Sequence, residues 1–104
     1  MPTINERSRL PITIKFADGS WVPTAPNVAR YRIDCVTTGQ VIQDWLDLTP
    51  ASSVSIVVTP TQNAIISDSN SYEKKVMAVE ANYNLANQYT DSFVWTVKNL
   101  QGFT

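Results

Sequence analysis

A chain of 104 residues with eight Lys and Arg against nine Asp and Glu has the size of one domain and no surplus of positive charge with which to hold a polyanion. Its basic residues are scattered, with only Lys74 and Lys75 side by side, so nucleic acid is not an expected partner. The absence of histidine and the single cysteine exclude histidine general bases and triads, zinc sites built on these ligands, and an internal disulfide.

The first residues, MPTINERSRL, lack the apolar core of a secretory signal, and no apolar run approaches the ~18 residues of a membrane span. The chain is therefore expected to be made and to fold in a cytoplasm, with no membrane partner. Residues 1–9 read as an extended N-terminal arm whose one apolar anchor is Ile4. Such an arm either frays or lies on a neighbouring subunit. Leu10, Ile12, Ile14 and Phe16 then alternate with Pro11, Thr13 and Lys15, a strand with one buried face. Pro11 lacks an N–H, so that strand lies at a sheet edge or begins there. Asp18-Gly19 signals a turn, and Trp21 to Pro26, with two prolines, reads as an extended connection. Trp21 is expected to lid the end of the core, with an exposed platform as the alternative.

The most informative stretch is Val28 to Leu46. Ala29, Tyr31, Ile33 and Cys35 alternate with Arg30, Arg32 and Asp34, giving one apolar and one charged face in an extended chain. Thr37 to Gln40 supplies a turn in which Gly39 is free to adopt positive φ, and Val41 to Leu46 returns as the second strand of a hairpin. Trp45 is expected on the inward face, beside Cys35 as a small buried hydrophobe. A turn-rich loop (Asp47 to Ser53) leads to the β-branched strand Val54 to Thr59, which Pro60 stops. Thr61 to Asn70 reads as one helical turn or irregular chain. Tyr72 to Tyr83 reads as a long strand, partly apolar on both faces and so either central or covered on its outer face, Asn84 to Thr90 as a polar loop, and Phe93 to Lys98 as the last strand. About seven short strands with frequent turn signals predict an all-β antiparallel β-sandwich over residues 10–104. The expected core is Tyr31, Ile33, Cys35, Trp45, Ile56, Val79, Phe93 and Trp95.

Catalytic patterns fail on inspection. Ser71-Tyr72-Glu73-Lys74 matches an acyl-enzyme string, but a strand sends its serine and lysine to opposite faces. Asp68, Asn70 and Glu73 lack the glycine and the alternating oxygens of a calcium loop, and nothing fixes the separation of Asp44 and Asp47 as a glycosidase pair. The expectation is a non-enzyme without metal or cofactor.

Cys35 followed by Trp45 on the next strand resembles the immunoglobulin core, without the second cysteine of its disulfide-pinned extracellular branch. More closely, Tyr31-Arg32-Ile33-Asp34, Thr38-Gly39-Gln40-Val41-Ile42-Gln43-Asp44-Trp45, Leu48 to Val54, Asn63-Ala64-Ile65 and Thr96-Val97-Lys98-Asn99-Leu100 together resemble short Ig-like virion proteins of tailed bacteriophages. The resemblance spans most of the chain from Lys15 on and implies an Ig-like sandwich with a structural role in the particle: head decoration or cement, neck, tail or baseplate accessory. Its partners would be capsid or tail subunits in a multi-copy assembly, and its location the virion, after assembly in the host cytoplasm. The expected protein contacts are Ile4, Arg7, Arg9, Trp21, Pro23, Leu100 and Phe103. An alternative is an Ig-like module binding carbohydrate or a cell surface, for which Tyr83, Asn84, Gln88 and Tyr89 form an amide-and-tyrosine loop suited to ligand contacts.

Overall fold

The computed structural model describes residues 2–17, 20–67 and 69–100. Among these residues there are seven strands and no helix: β1 (Thr3–Asn5), β2 (Leu10–Lys15), β3 (Ala29–Cys35), β4 (Val41–Leu48), β5 (Ser53–Val58), β6 (Tyr72–Ala81) and β7 (Tyr89–Lys98). They form a five-stranded sheet in the order β1-β7-β6-β3-β4 and a two-stranded sheet, β2-β5. All pairings are antiparallel except that of β1 with β7. The chain is all-β, and its two sheets pack as a sandwich.

Period-two patterning explains which side chains meet. Ile12 on β2 with Ile56 and Val58 on β5 face Ala29 and Ile33 on β3, Met77, Val79 and Ala81 on β6, and Trp95 and Val97 on β7. The β3–β4 turn closes through Cys35 N donating to Gln40 O (2.9 Å) and Gly39 N donating to Cys35 O (2.8 Å). Gly39 there has φ of 76°, a conformation that costs a residue with Cβ about 1 kcal/mol or more. Of the alternatives the sequence leaves open, β6 is central, flanked by β3 and β7, and residues 61–67 are turn and irregular chain.

Several expectations are corrected. Trp45 is not a core residue. β4 accommodates extra residues at two bulges, as pairing passes from Tyr31↔Leu46 to Ile33↔Gln43 and then to Asp34↔Val41. In this register Leu46 and Leu48 lie opposite Tyr31 and Ala29, and Trp45 falls on the outer face with Arg30. The Cys35–Trp45 pairing across one face is therefore absent. Phe93 has the inward parity of Trp95 but is 37% exposed, because the two-stranded sheet is too narrow to cover that part of β7. Trp21 is no lid. It is 88% exposed with φ of 62°, and Pro26 is buried instead. In place of a free arm, residues 3–5 form β1 on the β7 edge, with Ile4 half-buried against the core. The remaining expected core residues Ile33, Cys35, Ile56, Val79 and Trp95 are buried, and Tyr31 packs at the margin. The expected Asp18-Gly19 turn, Asp68 and Phe103 lie outside the described residues.

Candidate interaction surface

The molecule measures 50 × 22 × 20 Å, and exposed apolar side chains stand at both of its ends as well as along the strands, at Leu46, Val57 and Phe93. At one end, β6 starts with Tyr72, paired with Lys98 of β7. Here β1 docks through Thr96 N to Pro2 O (2.9 Å) and Glu6 N to Lys98 O (2.9 Å), and Leu100 N donates to Glu6 Oε1 (3.0 Å). Leu100 is 43% exposed. Arg7, in the left-handed region at φ 57°, donates its N–H to Asn63 O (3.0 Å). Arg7 and Arg9 are both exposed.

At the other end, Ala17 bridges Pro23 and Thr24 N donates to Phe16 O (3.0 Å), so the connection after β2 is pinched at its base. Trp21 projects from it beside exposed Val22. The base meets the β6–β7 turn, as Ala17, Thr24, Ala25, Pro26, Asn82, Asn87 and Tyr89 line a common recess. The expected contact residues thus fall at opposite ends, separated by the length of β7. Its ten residues span about 30 Å at ~3.3 Å per residue.

Two buried or stacked clusters hold these ends in place. On the outer face, the Arg30 guanidinium lies 4.5 Å from the centre of the Trp45 ring and 4.3 Å from that of Tyr83, a cation between two π-faces. Arg30 Nε donates to Glu80 Oε1 (2.6 Å). Tyr83 Oη donates to Asp47 Oδ1 (2.7 Å), and this bond, with burial, holds the phenol above its ordinary range. Gln88 Nε2 donates to Glu80 Oε2 (3.3 Å) and Gln88 Oε1 accepts from Asn84 N (3.0 Å). Of the four residues expected to bind a ligand, Tyr83, Asn84 and Gln88 are therefore engaged with their own chain. Tyr89 is 42% exposed and its phenol is pushed up by burial. Truncating Trp45 to alanine is expected to cost about 1 kcal/mol, read as a small shift in the urea midpoint.

Inside the sandwich, at the β1 end, lie two charged side chains that sequence reasoning missed. Glu73 and Lys75 are both 0% exposed, with Lys75 Nζ 3.7 Å from Glu73 Oε1. Lys75 Nζ has no hydrogen-bond partner among the described residues. Glu73 Oε1 accepts from Ile66 N (2.8 Å), and Oε2 accepts from Ser67 N (2.9 Å) and Asn70 Nδ2 (3.1 Å). The Cys35 thiol lies 3.9 Å from Oε1. Burial pushes the Glu73 carboxyl up, but these donors and the Lys75 charge outweigh it and hold the group below the usual carboxylate range. The signal was in the sequence: Glu73 and Lys75 share the parity of Met77, Val79 and Ala81. The Lys74-Lys75 doublet suggests a solvated pair, and only Lys74 is exposed.

Asn63, also buried, ties three segments together. Its Oδ1 accepts from Trp95 Nε1 (2.9 Å), its Nδ2 donates to Ser8 O (2.8 Å) and its own O accepts from Arg7 N. Cys35 is fully buried, and native protein is expected to resist alkylation by iodoacetamide, with reaction appearing in step with unfolding by denaturant. Rapid native labelling, followed by mass spectrometry, would contradict that placement.

Comparison with known protein families, with curated proteins and with solved structures gives no match for this chain.

Proposed function

We propose that this protein is a non-enzymatic structural component of a tailed-phage particle, an Ig-like sandwich that binds neighbouring capsid or tail subunits as a decoration, cement or neck-tail accessory. The strand order supports the Ig-like reading. One sheet ordered β1-β7-β6-β3-β4 opposed to β2-β5 corresponds to the G-F-C-C′ sheet of a variable-type domain, with a short parallel strand added at the G edge, facing a reduced B-E sheet. The observation carrying the function is that exposed apolar side chains stand at both ends of an elongated body: Leu100 at one, Trp21 and Val22 at the other. A subunit that must touch two neighbours needs contacts distributed in this way, and exposed large apolar residues mark such contacts. The carbohydrate alternative loses support because Tyr83 already covers Arg30 and Gln88 is bound to Glu80.

The test is incorporation into particles. Trp21→Ala and Leu100→Asp alter exposed side chains and are expected to leave stability within about 0.5 kcal/mol. Each should lower the copy number of tagged protein in purified particles, measured by quantitative mass spectrometry. Wild-type incorporation of both variants, or of neither variant nor parent, overturns the reading.

A further inference from the structure

The two sheets differ in width, five strands against two, and the mismatch leaves a strand-shaped groove. It has a volume of about 320 Å³ and is floored by Met77, Val79 and Ala81 of β6, walled by Ile12 and Ile14 of β2, and bordered by Phe93 of β7. Tyr89 and Asp91 line it on the β7 side and Lys15 on the β2 side.

Backbone geometry says what fits there. Phe16 N donates to Ser52 O, towards β5. Residues of the opposite parity, Pro11, Thr13 and Lys15, therefore direct their backbone groups away from β5, to a side where β2 has no partner strand among the described residues. Pro11 loses nothing at that edge, while Thr13 and Lys15 each offer an N–H and a C=O. Among the described residues β7 also has no partner strand on this side from Tyr89 to Val94, because β1 begins at Thr3↔Thr96. There, however, the Ser92 N–H is already taken by Asp91 Oδ1 (2.8 Å). A strand added to β7 would lengthen the wide sheet and leave the floor bare. A strand added to β2 would widen the narrow sheet and lie over Phe93, Tyr89 and Asp91.

We propose that this groove is a β-strand acceptor site, which takes an extended segment of another polypeptide as a third strand beside β2. The segment pairs with the backbone of Thr13 and Lys15. Its inward side chains are apolar over Phe93 and Val79, with a lysine or arginine opposite Asp91, the one anionic side chain among the described residues that line the groove. Free edges next to apolar surface are what strand addition uses, and elsewhere are the hazard that edge strands must avoid. The site is independent of the particle reading, since it makes the same demand on any partner chain.

The test uses the full-length protein and a capped synthetic heptapeptide with threonines outward and valine, lysine, valine inward. A peptide of the same composition with its alternation destroyed is the control. At about 1 mM peptide, hydrogen exchange followed by NMR is expected to slow at the Thr13 and Lys15 amides by about tenfold. The effect should vanish in Thr13→Pro, which removes the edge donor, and weaken by about tenfold in Asp91→Lys, an exposed position that leaves folding intact. Protection that moves to Thr90, Ser92 and Val94 instead, equal binding of the control peptide, or no protection at this concentration each overturns the proposal. Particle incorporation can fail while this binding persists, and the reverse.

Discussion

Replacing Glu73 with glutamine is expected to destabilise the protein by about 3–5 kcal/mol, the usual cost of leaving one charge of a buried pair without its partner. Lys75 Nζ is fully enclosed and has no hydrogen-bond partner among the described residues, where the Glu73 carboxylate 3.7 Å away is the only opposing charge beside it. The same carboxylate accepts the Ile66 and Ser67 N–H groups and the Asn70 amide, and a glutamine offers one carbonyl oxygen for all three. The result should be seen as a lower urea midpoint with an unchanged slope. The double variant Glu73→Gln/Lys75→Met should recover part of the loss, because the lone cation is gone; no recovery would mean that the loop clamp, not the ion pair, sets the cost.

The acid limb follows from the same group. Its carboxyl titrates below the ordinary range in the folded protein, so the unfolded chain takes up the proton first as pH falls. The contribution is complete above the unfolded value of ~4.3 and is lost as pH drops from there through the folded value. Stability of the native protein should therefore fall more steeply on acidification in that window than stability of Glu73→Gln. Parallel acid limbs in the two proteins would show that Glu73 is not depressed.

Trp95→Ala is the second change with a large expected effect, a loss of about 3–5 kcal/mol. Trp95 is fully buried and is the largest such side chain described. Its removal leaves a cavity between the sheets and also strips Asn63 Oδ1 of its donor. Since Asn63 holds Ser8 and Arg7, the damage should spread to the first strand. Hydrogen exchange at Glu6 and Arg7 amides should accelerate more than at Ile12 or Ile56. Uniform acceleration would show that Asn63 does not couple the sites. Trp95→Phe should lose less, keeping most of the packing while still orphaning Asn63.

Much of the architecture was legible because period-two alternation and turn chemistry are local. Ile12, Ile33 and Val79 each sit on a run whose apolar parity points inward, and Gly39 marks its turn by its own conformational freedom. Trp45 was misplaced because its face depends on the pairing across the turn. With Asp34 opposite Val41 the two one-residue shifts in β4 cancel in parity, so Trp45 stays on the face of Val41 and Arg30 while Leu46 and Leu48 lie opposite Tyr31 and Ala29. That pairing is not written in the alternation of either strand alone. Trp21 was misread because its burial depends on whether anything lies above it, which a connecting segment does not encode. Phe93 has the right parity but lies where the opposing sheet has ended.

The candidate surfaces were less legible than the fold. Ile4, Leu100 and Trp21 could be named as apolar residues in irregular chain, but their separation by about the length of one ten-residue strand emerges only when β1 and the β2–β3 connection are fixed at opposite ends of β7. The acceptor groove leaves no mark in any single stretch, since it is the space between strands from different parts of the chain. Tyr83 and Gln88 have the composition of a binding loop, yet Arg30 and Glu80, more than 50 and eight residues away from them respectively in one case and the other, use those same groups.

By itself the sequence determined that this chain makes strands, which faces of most of them are apolar, and that catalysis by histidine or by a cysteine-zinc centre is closed to it. Those properties are carried by residue type and by neighbours two positions away. Only the tertiary structure decided that Glu73 and Lys75 share the interior, that Trp45 grips Arg30 outside it, and that five strands face two. These depend on register and on sheet width, which are set by contacts between segments far apart along the chain, where the energy of burial is realised.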